Sequence, residues 1–295
     1  MAKELTDLQK IERSITKKYR KELWNPFVTA IKRYELIQPN DRIAVCISGG
    51  KDSMLMAKLF QMLARISDVP FETVFLVMDP GYNTGNRQKI EENAARLGIP
   101  ITVFSSDIFA VADYLNEKSP CYLCARMRRG HLYAKAREMH CNKIALGHHF
   151  NDVIETTLLG MFYASQLQGM IPKLHSKNFE GMELIRPLYC VHEDSIIAWA
   201  RYNNLDFIRC ACRFVEESRT ASDGVGASKR QEIKVLLAEL KKNNPLIEQS
   251  IFNSLHAVSI HTFPGLKTRQ GDRSFLAFYD GENSSDILAE TEREN

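Results

Sequence analysis

The chain has 295 residues, a net charge of +3 and 25% charged residues, which is the composition of a soluble globular protein with length enough for a full core. No apolar run approaches the length needed to cross a bilayer, and Met1 to Lys21 is charged, with no apolar signal core, so a membrane protein is excluded and a cytoplasmic one is expected. The net charge hides an asymmetry: Asp280 to Asn295 carries −5, leaving +8 on the remainder, and a basic body suits a polyanion such as RNA.

In chain order, Leu5 to Tyr34 reads as helix from apolar residues every three to four positions, with Pro26 as a possible kink. Arg42–Ile47 is the first strand, followed by a glycine turn and a helix to Ile66. Phe71–Met78 is strand two, Arg87–Leu97 a helix stopped by Gly98, and Ile101–Phe104 strand three. Arg126–Met139 is helix, Lys143–Leu146 strand four, and Asp152–Leu167 helix. Ile171–Leu174 and Leu184–Leu188 suit a short hairpin, Glu193–Tyr202 a helix, and Phe207–Ile208 a short last strand. Thr220–Ser228 reads as a loop, Lys229–Lys242 and Pro245–Leu255 as helices, and the last sixteen residues as disordered. This alternation predicts an α/β fold with a doubly wound, Rossmann-like parallel sheet, whose ligands bind at the carboxyl ends of the strands. The expected organisation is a helical segment at 1–39, the α/β domain at 40–215, C-terminal helices at 216–263 and a tail at 264–295.

Ser48-Gly49-Gly50-Lys51-Asp52-Ser53 joins strand one to its helix. The glycines admit a ligand close to the backbone, and N–H groups at a helix start favour an anion. Lys51 adds positive charge, and Ser48 and Ser53 add hydroxyls. Asp52 beside a phosphate requires a cation between them, which suggests Mg²⁺. The spacing is not that of the common Gly-x-x-x-x-Gly-Lys-Ser/Thr loop. A second run, Gly147-His148-His149-Phe150-Asn151-Asp152-Val153-Ile154-Glu155-Thr156, follows strand four and places Asp152, Glu155 and Thr156 on one helix face. Asp79 ends strand two, so all three loops can meet.

Seven cysteines, an odd number, argue against a disulfide scaffold. Cys46, Cys141 and Cys190 read as structural. Cys121-Tyr122-Leu123-Cys124, followed by Arg126, Arg128 and Arg129, could be half a zinc site, a redox dithiol or two unconnected thiols. With Cys210-Ala211-Cys212, a pair plus one distant cysteine also suits an iron–sulfur cluster.

Ser48 to Ser53 resembles the pyrophosphatase (PP) loop of enzymes that split ATP into AMP and pyrophosphate. Taken in order with Pro120-Cys121-x-x-Cys124-Ala125-Arg126-x-Arg128-Arg129-Gly130, the Gly147–Thr156 run and Ile185-Arg186-Pro187-Leu188, it resembles the tRNA 2-thiocytidine synthetases from about Ile43 to Arg213. The resemblance implies ATP bound by Ser48, Gly49, Gly50, Lys51, Asp52, Ser53, Asp79, Gly147, His148 and Asp152. It implies Lys51 and Asp52 as catalytic groups, Asp52 on Mg²⁺, and Arg126, Arg128 and Arg129 against tRNA. It further implies a [4Fe-4S] cluster on Cys121, Cys124 and one later cysteine: Cys212, with Cys210 as runner-up, because the family's Cys-x-x-Cys is Cys-Ala-Cys here. A homodimer, and a desulfurase as ultimate sulfur source, come with the same resemblance. A lysidine synthase or 2-thiouridine enzyme, and a non-enzymatic zinc-containing nucleotide- or RNA-binding protein, are the rival readings.

Overall fold

The computed structural model describes residues 4–106, 120–208, 229–268 and 271–279, with the side chains of residues 120–126, 261, 277 and 278 outside that description. Two compact units are present, Met1–Glu239 and Leu240–Asn295.

The first unit begins with α1 (Asp7–Arg13), capped by Thr6 in a reciprocal box with Gln9. Two π turns follow, Ser14–Lys18 and Arg20–Trp24, then α2 (Asn25–Arg33). The kink expected at Pro26 is therefore taken up just before it. Proline lacks an N–H and its ring crowds the carbonyl four residues back, and here the Asn25 N–H reaches Arg20 O instead.

The sheet contains β1 (Asp41–Ile47), β2 (Phe71–Asp79), β3 (Ile101–Ser105), β4 (Lys143–Ala145), β5 (Lys173–His175) and β6 (Glu183–Ile185), in the order β3-β2-β1-β4-β6-β5. All pairs are parallel except β5 with β6, the expected hairpin. β1 is buried almost throughout, as a strand covered on both faces must be. Its Ala44 and Cys46 pack with Leu76, Ile144, Tyr133 and Ala136, and alternation sends Ile43, Val45 and Ile47 to the other face.

The intervening helices are α3 (Lys51–Ala64), α4 (Thr84–Leu97), α5 (Pro120–Glu138), α6 (Phe150–Tyr163), α7 (Glu193–Tyr202) and α8 (Lys229–Asn243). Among the described residues no helix is long and apolar enough to cross a membrane. Three helices, α4, α5 and by two residues α6, begin earlier than their apolar periodicity indicated. Asn83 caps α4 by accepting from Asn86 N–H, and Pro120 opens α5, a position where the missing N–H costs nothing. Residues 207–208 form no strand. Instead Ile208 covers Gly49, and Asp206 O accepts from Asn93 Nδ2 at 2.9 Å.

The N-terminal helices are tied to the sheet by a buried cation. Lys58 is wholly buried and donates to Glu12 Oε1 at 2.6 Å, Gln61 Oε1 at 2.7 Å and Leu97 O at 2.9 Å. Removing one partner of such a pair typically costs about 3–5 kcal/mol, because the other charge is left buried.

In the second unit, Lys241 pairs with Glu248 at 2.8 Å, and α9 (Ile247–Ser254) buries Phe252. β7 (Gly265–Thr268) and β8 (Gly271–Ser274) form an antiparallel hairpin where the sequence shows little periodicity. Residues 280–295, expected to be disordered, lie outside the described residues.

Candidate active site

β2 lies on one side of β1 and β4 on the other, so the strand order reverses between β1 and β4. That is the place where an open α/β sheet leaves a crevice at its carboxyl edge. The Ser48–Ser53 loop leaves β1 there, and Gly147–His149 leaves β4 beside it. Gly147 is what lets them touch: a Cβ on it would stand 3.2 Å from Ser53 N and 3.3 Å from Ser53 Cα, which is backbone and cannot swing away. Gly49 has φ +84°, and a Cβ there would meet Ile208 Cδ1 and Ile90 Cγ1 at 2.6 Å.

Within the loop, the Ser53 hydroxyl accepts from Ser48 N–H at 3.1 Å and donates to Gly50 O at 3.0 Å. Gly50 is the N-cap of α3 and supplies no side-chain cap. The first N–H groups of a fourteen-residue helix thus remain available to an anion.

Lys51 Nζ lies 3.1 Å from Asp52 Oδ2 and 2.8 Å from Glu193 Oε1, the first residue of α7. Burial works against its charge, but Asp52 and Glu193 outweigh it and hold the ammonium above its ordinary pKa. Burial likewise opposes ionisation of Glu193, yet Lys51 and Lys234 bring that carboxyl down to about 2. Lys234 of α8 donates to Glu193 Oε2 at 3.0 Å.

His149 is buried and caps α6 in a reciprocal box with Asp152. Its Nδ1 accepts from Asp152 N–H at 3.3 Å, so the neutral ring carries its proton on Nε2. Nε2 faces Asp52 Oδ1 and Glu193 Oε1, each at 3.9 Å. Asp52 Oδ1 is buried and, among the described residues, accepts no hydrogen bond. A carboxylate oxygen so placed, beside a helix start that suits an anion, fits Mg²⁺, which takes one or two carboxylates and completes its shell with phosphate and water.

Asp152, Glu155 and Thr156 share a face as expected, and that face meets α8. Arg230 lies 3.5 Å from Asp152 Oδ1, 3.4 Å from Glu155 Oε2 and 3.3 Å from Thr156 Oγ1. Burial pushes Glu155 up to about 7, with Lys234 and Arg230 opposing.

A cavity of about 340 Å³ opens over the loop, lined by Ser48, Asp52, Tyr82, Arg128, Arg129 and His148 among others. His148 is held neutral, its pKa lowered to about 4 by burial and then by Arg186, and its Nδ1 has no hydrogen-bond partner among the described residues. Asp79 reaches the same edge, but its oxygens accept from Gly81 and Tyr82 N–H at 2.9 and 2.7 Å and from Arg87 at 2.8 Å. It shapes the turn that presents Tyr82.

Positions 121 and 124 fall in the first two turns of α5; their side chains and that of Arg126, and the whole of Cys210 and Cys212, lie outside the described residues. Cys46 and Cys141 are buried and Cys190 partly so. Burial raises all three thiols, Cys46 to about 12, which keeps them protonated and inert.

A family model described as a PP-loop domain matches residues 10–212. The tRNA-cytidine(32) 2-sulfurtransferase of Citrifermentans bemidjiense is 36% identical over 235 residues, covering 78% of this chain and 87% of that protein. The protein of the same name from Geobacter sulfurreducens is 35% identical over 240 residues, covering 80% and 89%. The chain belongs to the PP-loop family, in its tRNA-cytidine(32) 2-sulfurtransferase branch. The PP-loop fold is seen again in the U34-tRNA thiolase NcsA from Methanococcus maripaludis, solved with its [4Fe-4S] cluster, at TM-score 0.62 and 21% identity over 83% of this chain and 80% of that one.

Sequence reading of this PP-loop site missed His149, Glu193, Arg230 and Lys234. His149 was visible inside the motif. Glu193 carried only the signal of an acid opening a helix, and Arg230 and Lys234 only that of charged positions within the 229–242 helix.

Proposed function

We propose that this protein is an ATP-dependent tRNA sulfurtransferase that converts a cytidine, at position 32 in the manner of its relatives, to 2-thiocytidine. The cytosine O2 attacks the α-phosphorus of ATP and pyrophosphate leaves. Sulfur then attacks the activated C2, and AMP departs with the original oxygen. The observation that carries this reading is the meeting, at the sheet's switch point, of a helix start without a side-chain cap, a protonated Lys51 and an Asp52 oxygen that accepts no hydrogen bond among the described residues.

In this reading the N–H groups of α3, with Ser48 and Ser53, hold the phosphates, and Lys51 offsets charge that builds as pyrophosphate leaves. Asp52 holds Mg²⁺ with the phosphates. His148 and Tyr82 line the space beside the loop where the nucleoside is received, and neutral His148 can accept a hydrogen bond there without opposing the arginines. Arg128 and Arg129, with Arg126, are the proposed tRNA contacts beside the site. The target base is presented from an RNA loop, where it can be splayed out.

Cys121, Cys124 and Cys212, with Cys210 as the alternative third, are the proposed ligands of a [4Fe-4S] cluster, since soft thiolates suit that group. When bound, the cluster would supply the transferable sulfur. Ile208, two positions before Cys210 in the sequence, rests on Gly49 of the loop. A cytoplasmic homodimer fed by a cysteine desulfurase completes the proposal.

The test is thiolation of a tRNA carrying C32 by the anaerobically reconstituted protein, with AMP and pyrophosphate measured. Formation of 2-thiocytidine in step with AMP is expected. AMP formation without thiolation of any cytidine would sink the assignment.

A further inference from the structure

The PP-loop chemistry leaves one strongly charged surface unused. Lys17, Lys18, Arg20 and Lys21 sit on the two π turns and are all exposed, as is Arg201 at the end of α7. Among the described residues, none of these five cations forms an ion pair with a carboxylate; Glu22 is the acid next to them.

The local structure explains the surface. A π turn holds more residues than an α turn: Tyr19 N–H reaches Ser14 O at 2.8 Å, five residues back. Ile15, Leu23 and Trp24 remain buried while the cations between them turn outward. Such turns recur at functional positions in helices.

The segment is also fixed in place. The buried Ser14 hydroxyl accepts from Trp199 Nε1 and from Asn203 Nδ2, both at 3.1 Å. Tyr19 donates to Ala198 O at 3.1 Å and meets the Tyr202 ring edge-on. Lys18 Nζ stands 3.5 Å from the centre of that ring, which is 53% exposed. Every one of these contacts is to the last two turns of α7 or the residue after it. The first residue of α7 is Glu193, bound to Lys51. Nine residues of helix at 1.5 Å each put the cationic surface about 14 Å along α7 from the catalytic lysine.

We propose that this surface docks the phosphate backbone of the RNA duplex that flanks the target loop, and that α7 sets the distance from duplex to active site. Charge complementarity selects RNA: exposed lysines and arginines without a carboxylate partner among the described residues match regularly spaced phosphates. Being a few nucleotides from the site, the surface suits a stem whose loop enters the cavity. The proposal rests on the tRNA reading above.

The experiment uses the full, reconstituted protein with Lys17→Ala, Lys18→Ala, Arg20→Ala and Lys21→Ala combined, and a charge-keeping variant with Lys17, Lys18 and Lys21 changed to Arg. The alanine variant is expected to bind whole tRNA at least about 10-fold more weakly at low salt, with the slope of log affinity against log salt reduced by about 2–4. Its ATP KM and its activity on a stemless loop oligonucleotide should be unchanged, and the arginine variant should bind like the parent. An unchanged tRNA affinity and salt slope overturns this surface while leaving the function standing. Loss confined to assays in which a protein supplies sulfur, with tRNA binding intact, assigns the surface to that protein and also overturns it. A parent protein that binds no tRNA overturns both readings.

Discussion

Lys51 Nζ and Glu193 Oε1 are 2.8 Å apart across 142 residues of sequence. The pair joins the loop after β1 to the start of α7, and Lys234 on the far side of Glu193 extends it to α8. Lys51, the proposed catalytic lysine, is thus aimed by a carboxylate that the motif does not contain. Glu193→Gln keeps the shape but removes the charge that orients Lys51, so kcat/KM for ATP should fall about 10–100-fold, near the cost of losing one charge-assisted contact. Lys51→Ala should lose more, about 10²–10³-fold. Steady-state pyrophosphate release with tRNA present distinguishes them; equal activity of Glu193→Gln and the parent removes Glu193 from the positioning role.

Asp52→Ala should leave the fold intact, because its side chain is at the rim of the cavity and not in the core, and should lower AMP formation about 10²–10³-fold. Raising Mg²⁺ should not restore it. A folded Asp52→Ala protein with near-normal turnover would show that the unpartnered oxygen has no part in the chemistry.

Gly147→Ala tests the close approach of the two loops. The added methyl meets Ser53 backbone at 3.2 Å, so the loops must separate by a few tenths of an ångström. A stability loss of about 1–3 kcal/mol is expected, together with a raised ATP KM. Denaturant melts and ATP titration read the two effects. A normal KM would mean that the loop positions are less coupled than their packing indicates.

The paired carboxylates predict opposite pH responses. Glu155 is raised from 4.5 to about 7 on folding, so below pH 4.5 its protonated form sits in the fold at no charge cost, and stability is lost as pH rises from there through 7. The loss is at most about 3 kcal/mol for a shift of that size. Glu193 is depressed to about 2, so its stabilisation is present above 4.5 and lost as pH falls toward 2. His148, lowered from 6.5 to about 4, contributes the opposite slope up to pH 6.5, so the readout is the difference between proteins: thermal melts of the Glu155→Gln variant should rise relative to the parent as pH goes from 5 to 8. An unaltered slope would place the titration elsewhere.

Iron and sulfide content should drop in Cys121→Ala, Cys124→Ala and Cys212→Ala, and persist in Cys46→Ala, Cys141→Ala and Cys190→Ala, whose thiols are held protonated by burial. Loss from Cys210→Ala with retention in Cys212→Ala would exchange the third ligand. Full iron in every variant would dismiss the cluster.

Much of this molecule is legible in its sequence because the information is local. The apolar run 43–47, the glycines at 49 and 50 and the helix behind them specify strand, turn and anion site through backbone geometry alone, and β1, α3 and α7 formed close to where periodicity put them. Helix starts at Asn83 and Pro120 were also written locally, as a cap and a proline, and were obscured only because apolar periodicity begins later. What the sequence could not determine depends on contacts between distant segments. Nothing near Glu193 tells that it holds Lys51, and nothing in the charged sequence of α8 tells that Arg230 and Lys234 reach Asp152, Glu155 and Glu193. Residues 207–208 carry strand-like side chains, yet packing of Ile208 over Gly49 draws them off the sheet. A side chain's type fixes which interactions it can make. Only the folded chain decides which partner is within 3 Å, and in a buried site that partner sets the charge.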